Sequence, residues 1–147
     1  MSLNLTRIDY ADLNSRQREN YNFQKLSAVL ADFGFATLRL SDDWSYADFL
    51  AQHIDSGTIL RIQLKGRLLF DKKYVEKELI IAFPHGDDWY LCAHDEVLEI
   101  VLKQTDTMTG TKSWDERGQY SFPSLGTKLT ELLAPYRITG STTGLDT

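Results

Sequence analysis

The chain has a single cysteine, Cys92, among its 147 residues, which excludes an internal disulfide framework and a zinc site built from cysteines. Apolar runs are short, and none approaches the roughly 20 residues that a membrane-spanning helix needs. The polar N-terminus lacks the apolar segment of a signal peptide. We therefore expect a cytoplasmic protein without membrane contact. The glycine and serine patterns of hydrolase triads, NTPases and Rossmann domains are also missing, so these classes have no support.

A positive net charge is lacking as well. The formal charge is −5, the wrong sign for a protein that coats nucleic acid through bulk charge. The segment from Arg61 to Lys77 differs, because its six basic and two acidic residues give it a charge of +4. A solvated strand face and a nucleic-acid-binding surface explain this segment equally well. The candidate nucleic-acid-binding residues within it are Arg61, Arg67, Lys72 and Lys73.

The hydrophobic content of 42% is that of a folded globular protein, and the length suits one domain. We expect a single domain over residues 1–138 and a flexible polar tail over residues 139–147. Periodicity and turn residues predict an α/β fold, in which a mixed sheet is flanked by helices. The predicted elements are a helix over Asn14–Phe33 capped by Asn14 and ended by Gly34, a strand over Phe35–Leu40, a polar turn over Ser41–Ser45, a hairpin over Asp48–Ile54 and Ile59–Phe70, strands over Lys77–Phe83 and Trp89–Ala93, a helix from its cap Asp95 to Lys103, a loop over Gln104–Phe122 and a helix over Leu125–Leu133.

The hairpin carries the most informative pattern, because its second strand alternates almost perfectly. One face holds Leu60, Ile62, Leu64, Leu68 and Phe70, and the other holds Arg61, Gln63, Lys65 and Arg67. Residues two apart in a strand point the same way, roughly 6.6 Å apart. Gln63 and Lys65 should therefore emerge side by side, next to a strand that begins with Asp48. A carboxylate, an amide oxygen and a lysine on one face could hold a divalent cation and a phosphate.

The order of these elements and motifs resembles the PD-(D/E)XK nuclease superfamily, the fold of restriction endonucleases and Holliday-junction resolvases. Residues 23–35 look like its first helix, with Gln24 where the usual pattern has Glu. Ala47-Asp48-Phe49 looks like its metal-binding Asp motif, and Gln63-Leu64-Lys65 like the Gln-x-Lys variant of its second motif. The resemblance spans roughly Asn14 to Phe70. It implies a restriction-endonuclease-like fold with an α-β-β-β core.

The resemblance also implies a chemistry for these residues. Asp48 would be the main ligand of one or two Mg²⁺ or Mn²⁺ ions, helped by the Gln63 side-chain oxygen and the Leu64 carbonyl. Lys65 would orient or help deprotonate the attacking water, and Gln24 would reach the water shell of the metal. The expected activity is phosphodiester hydrolysis, on DNA more than RNA, by a protein that could pair as a homodimer.

Two amides, Gln24 and Gln63, stand where the superfamily commonly has acids. Glu19 does not offer an obvious replacement, because it lies five residues before Gln24 and so about 140° away around a helix. A nuclease-fold protein without activity, which serves as a nucleic-acid-binding or protein-interaction module, therefore stands as the alternative. An unrelated α/β binding domain with a coincidental match is the third reading.

Two further groups of residues invite a functional interpretation. The histidines are His53, His85 and His94, and Cys92-Ala93-His94 could form a thiol–imidazole pair, although a buried thiol beside a structural histidine is commoner. Trp114 and Tyr120, in the predicted loop, could stack on bases or contact a partner. We favour the interpretation that they anchor the loop to the body of the protein.

Overall fold

The computed structural model describes residues 2–139, apart from the side chain of Asp43. Of the predicted tail, only Thr139 lies within this range, and residues 140–147 lie outside it. The helices are α1 (Ser15–Asp32), α2 (His94–Gln104), α3 (Lys112–Asp115) and α4 (Gly126–Leu133), and short 3-10 turns cover Tyr10–Asp12, Lys72–Tyr74 and Ala134–Tyr136. The strands are β1 (Phe35–Trp44), β2 (Ala47–His53), β3 (Ile59–Leu64), β4 (Leu69–Asp71), β5 (Leu79–His85), β6 (Asp88–Ala93), β7 (Gln119–Ser121) and β8 (Arg137–Thr139).

The central sheet has six strands in the order β1-β2-β3-β5-β6-β8. Strands β3 and β5 are parallel, and the other neighbours are antiparallel, so the sheet is mixed. Strands β4 and β7 form a separate antiparallel pair. The expected α/β class is confirmed at this level, and α1, β1, β2 and β3 follow one another along the chain.

Helices cover the two faces of the sheet unequally. On one face α1 buries Leu26 and Leu30 in a cluster with Phe49 and Ile62. On the other face α2 packs on β5 and β6, and α4 packs against α2. The larger cluster on this face has buried members that include Ile81, Phe83, Val97, Val101 and Leu133. The burial of this apolar surface is the main stabilising contribution to the arrangement.

The predicted limits of α1 are confirmed, and side-chain hydrogen bonds explain them. Asn14 is the N-cap of a capping box, in which its side chain accepts from the Gln17 N–H and the Gln17 side chain accepts from the Asn14 N–H. Gly34 ends the helix with a φ of 84°. A Cβ at Gly34 would lie 2.8 Å from Nε2 of His53, so this turn has no room for a side chain.

Several predicted boundaries are wrong. Strand β1 continues through the predicted polar turn to Trp44, and the turn is made by Ser45 and Tyr46, both with positive φ. Asp95 does not cap α2, since the helix begins at His94 after Ala93. The predicted loop over Gln104–Phe122 contains α3 and β7, and the chain after α4 returns to the central sheet as β8.

The second strand of the predicted hairpin is also shorter than expected. It ends at Leu64, and a bend at Gly66 and Arg67 carries the chain into β4. Leu68 and Phe70 are consequently buried in the α2–α4 cluster, whereas Leu60, Ile62 and Leu64 belong to the α1 cluster. The prediction that these five side chains share one face is therefore wrong, because the alternation does not run through the bend.

Candidate functional site

The first residues of β2 and the last residues of β3 lie side by side at one end of the sheet. The pairing of Phe49 with Ile62 sets the register, so that Asp48 lies across from Gln63. The Leu64 N–H donates to Oδ2 of Asp48 at 2.7 Å. This hydrogen bond fixes the half-buried carboxylate against the end of β3.

Gln63 and Lys65 lie next to this carboxylate and contact each other. The Lys65 N–H donates to the Ala82 carbonyl at 2.8 Å, which continues the pairing with β5 one residue beyond the end of β3. The hydrogen-bond partners decide the orientation of the Gln63 amide. Its nitrogen donates to the Tyr46 carbonyl, and its oxygen accepts from Nζ of Lys65 at 3.3 Å. The Gln63 oxygen and the lysine ammonium are therefore held together.

An aromatic ring lies beside the lysine. Nζ of Lys65 lies 5.9 Å from the centre of the buried Tyr74 ring. Nζ of Lys73 lies 5.5 Å from the same ring and 5.6 Å from that of Tyr46. A cation over an aromatic face gains about 0.5–1 kcal/mol at an exposed position. Lys73 also pairs with Asp71 at 3.7 Å, so two ammonium groups lie near the Tyr74 ring.

A cavity of about 410 Å³ brings these residues together with α1. Asp48, Gln63, Leu64 and Lys65 form one wall. The other lining residues are Tyr10, Gly66 and four residues of α1, namely Ser15, Arg18, Glu19 and Asn22. Two carboxylates and two cations therefore line one space. A larger groove of about 990 Å³ adjoins it, since both are lined by Glu19 and Asp48.

The structure does not bring Gln24 to this cavity. Residues of α1 that face the sheet include the buried Asn22 and Leu26. Gln24 lies two positions, or about 200°, from either of them, and it is exposed. Glu19, about 140° from Gln24 around the helix, lines the cavity together with Asp48. The buried face of α1, predictable from its apolar spacing, is the signal that could have identified Glu19.

One arginine, Arg18, lines the cavity, and another, Arg39, lines the adjoining groove. Arg18 donates from Nη2 to the Ala11 carbonyl at 3.0 Å and lies over the Tyr10 ring, while its buried Nε has no hydrogen-bond partner among the described residues. Arg39 lies 3.4 Å from Oε1 of Glu19 and also donates to Asn20. Both members of the Arg39–Glu19 pair are well exposed, so the pair is weak and leaves the carboxylate accessible.

The predicted nucleic-acid-binding residues fall into different environments. Arg61 donates to the Lys77 carbonyl, pairs with Glu78 and lies over Trp44, which gives it structural contacts. Arg67 is exposed at the bend after Lys65. Lys72 lies over Trp114, and Lys73 over Tyr46 and Tyr74. Lys73 is thus the one of these four that shares an aromatic neighbour, Tyr74, with Lys65.

The Cys92–His94 segment serves packing. Burial raises the pKa of Cys92 to about 12, so its thiol stays protonated at neutral pH. The buried His94 accepts from the Asp71 N–H at Nε2, and its Nδ1 lies 2.8 Å from Oδ1 of Asp95. These two contacts hold the imidazole between the main chain of Asp71 and the side chain of Asp95. In the predicted loop, Trp114 is buried in the core, as the anchoring interpretation expects.

Within the described part of the chain, no three His, Cys, Asp or Glu side chains cluster closely enough to hold a metal ion. The residues that line the cavity include two carboxylates, Glu19 and Asp48, and the amide of Gln63. Within residues 2–139, no helix has the length and apolar character that crossing a membrane requires.

Comparisons of the chain with protein-family models, with curated proteins and with solved structures gave no match.

Proposed function

We propose that this protein is a metal-dependent nuclease with a restriction-endonuclease-like fold, which hydrolyses phosphodiester bonds in DNA. The observation that carries the proposal is the convergence of Asp48, Gln63 and Lys65 with Glu19 of α1 on one cavity. These residues come from three separate elements, and each type has a use in phosphodiester hydrolysis. The order α1-β1-β2-β3 agrees with the resemblance that the sequence motifs carry.

The donor set suits Mg²⁺ or Mn²⁺, which prefer hard oxygen ligands and keep several waters. Asp48 and Glu19 would supply carboxylate oxygens, and Gln63 and Leu64 would supply neutral ones. A few protein oxygens suffice for Mg²⁺ when substrate phosphate completes the shell, so a cluster of three acids is not required. The bound cation would supply charge neutralisation and a water of lowered pKa.

The cations of the chain have complementary tasks in this proposal. Lys65, held by the Gln63 oxygen and the Tyr74 ring, donates a hydrogen bond to the attacking water or to a non-bridging phosphate oxygen. Arg18 lines the same cavity and adds positive charge that favours a bound phosphate. Asp48 keeps its orientation through the Leu64 N–H. Fixed donors around the developing charge cost no reorganisation during the reaction.

A nuclease-fold protein without activity is the second candidate. The two amides favour it, because Gln24 and Gln63 add no charge where acids are common, and Gln24 faces solvent. A binding module of this kind would retain DNA affinity through Lys73, Arg67 and Arg18. The two candidates differ in one observable, which is metal-dependent cleavage.

The test is the nicking of supercoiled plasmid in Mg²⁺ or Mn²⁺, with EDTA as the blank. We expect the wild-type protein to nick the plasmid, and Asp48→Ala, Lys65→Ala and Glu19→Ala to lose at least 100-fold in rate. Asp55→Ala, in the exposed turn after β2, and Lys128→Ala, on α4, are matched controls that should retain full activity. Cleavage that persists in Asp48→Ala would refute the site, and absence of cleavage in the pure wild-type protein would favour the inactive module.

A further inference from the structure

A second pocket adjoins the candidate site and has a different character. It has a volume of about 890 Å³, within the range of small-molecule sites. Its walls come from α1, from the β5–β6 turn and from the residue after Lys65. The lining includes the aromatic side chains Tyr10, Tyr21 and Trp89, with Lys25, Asn22 and Asp87.

The two spaces adjoin each other, because Tyr10, Asn22 and Gly66 line both of them. Asn22 stands at the junction, where its Nδ2 donates to the Tyr10 hydroxyl at 2.9 Å. The Arg18 guanidinium lies over the Tyr10 ring, 5.1 Å from its centre. A ligand with an anionic centre beside Asp48 and Lys65 can therefore extend a planar group into the aromatic pocket.

The pocket offers aromatic rings to such a planar group. Tyr10 and Tyr21 meet edge to face, with centroids 5.3 Å apart and planes at 63°. Nζ of Lys25 lies 5.3 Å from the centre of the Tyr21 ring. A nucleobase can stack on a ring of this kind and form hydrogen bonds with an amide, an ammonium or a carboxylate at its edge.

We propose that this pocket binds an unpaired nucleobase adjacent to the scissile phosphate, which makes DNA with a single-stranded segment the preferred substrate. A base inside a duplex is stacked and paired, and it enters such a pocket only at the cost of a few kcal/mol. An extension or flap removes that cost. This inference rests on the proposed nuclease function, since that function places the scissile phosphate at Asp48.

The test measures binding without cleavage. Fluorescence anisotropy in EDTA compares a blunt duplex with the same duplex carrying a single-stranded thymidine extension. The variants are Tyr21→Ala, which removes the stacking ring, Tyr21→Phe, which keeps it, and Lys25→Glu, which reverses the charge over it. Lys128→Glu, exposed on α4, is the matched charge control, and circular dichroism verifies that each variant is folded.

The wild-type protein should bind the extended duplex at least about tenfold more tightly than the blunt one, in line with base–aromatic stacking. Tyr21→Ala and Lys25→Glu should lose this preference, whereas Tyr21→Phe and Lys128→Glu should keep it. Equal wild-type affinity for both DNAs, or an equal loss on both in Tyr21→Ala, would overturn the proposal. Because plasmid nicking is assayed separately, a binding preference without cleavage would refute the nuclease alone, and cleavage without preference would refute the pocket alone.

Discussion

Replacement of Asn14 by alanine tests how the first turn of α1 presents Arg18 and Glu19 to the cavity. Asn14 accepts from the Gln17 N–H at 2.8 Å and donates its own N–H to Gln17 Oε1 at 2.9 Å. Loss of an N-cap side chain costs about 1 kcal/mol, within a range of about 0.5–2. For a chain of 147 residues, that cost corresponds to a fall of about 2–4 °C in the melting temperature.

The assay is urea denaturation followed by circular dichroism, with the slope m held common to all variants. Asn14→Asp keeps the acceptor and should remain within about 0.3 kcal/mol of the wild type, because an anion is favourable at a helix N-terminus. Thr111 is the N-cap of α3, and its side chain accepts from the Trp114 N–H. Thr111→Ala removes this cap and serves as a control away from the site.

Both alanine variants should lose stability, but Asn14→Ala alone should also slow DNA cleavage, since it loosens the turn that carries Arg18. An Asn14→Ala protein as stable as the wild type would refute the role of the capping box. An Asn14→Asp protein as unstable as Asn14→Ala would do so as well. Equal effects of Asn14→Ala and Thr111→Ala on cleavage would refute the link between the cap and the site.

Three further predictions concern the turns and the titrating groups. Gly34→Ala should destabilise the fold more than Gly57→Ala in urea denaturation. Both glycines have positive φ, but of the two only Gly34 has a side chain within 3 Å of the added Cβ. Equal losses of stability would contradict the steric explanation. Burial raises the pKa of Cys92 to about 12, so its thiolate fraction at pH 8 should be about 10⁻⁴. We therefore expect Cys92 to react with thiol reagents only after unfolding. Rapid labelling of the native protein would be inconsistent with its burial. The hydrogen bond to Glu96 raises the pKa of Tyr136 to about 12, above its ordinary value, so the stabilisation is complete below about pH 10 and is lost as the pH rises towards 12. The difference in phenolate absorbance between wild type and Tyr136→Phe measures this pKa, and an unchanged value in Glu96→Gln would refute the stated cause.

Local signals in the sequence were enough to predict α1. Asn14, Gln17 and Gly34 act through hydrogen bonds and backbone geometry within the helix and its ends, so no distant contact is needed to place its limits. The end of β1 had no such signal. A tyrosine at a φ of 69° lies in the turn, and the pairing of β1 with β2 is irregular between Arg39 and Trp44, so local patterning did not place the end of the strand.

The candidate site was predictable in part, for a similar reason. Asp48, Gln63 and Lys65 are brought together by antiparallel pairing across a short turn, which alternation in the sequence indicates. The contribution of α1 depends on how the helix is rotated against the sheet. The resemblance pointed to Gln24, whereas the burial of Asn22 and Leu26 directs Glu19 to the cavity. Tyr74 reaches Lys65 only because the chain bends out of β3, and alternation alone does not reveal that bend.

The single-turnover rate of DNA cleavage at saturating Mg²⁺, compared between the wild-type protein and Asp48→Asn, tests the central claim most directly. Asp48→Asn keeps the size of the side chain and an acceptor for the Leu64 N–H, so it removes the charge with little change in structure. The account predicts a fall of at least 100-fold that Mn²⁺ does not restore in full. A rate within twofold of the wild type would contradict the account, because the Asp48 carboxylate would then have no part in the chemistry.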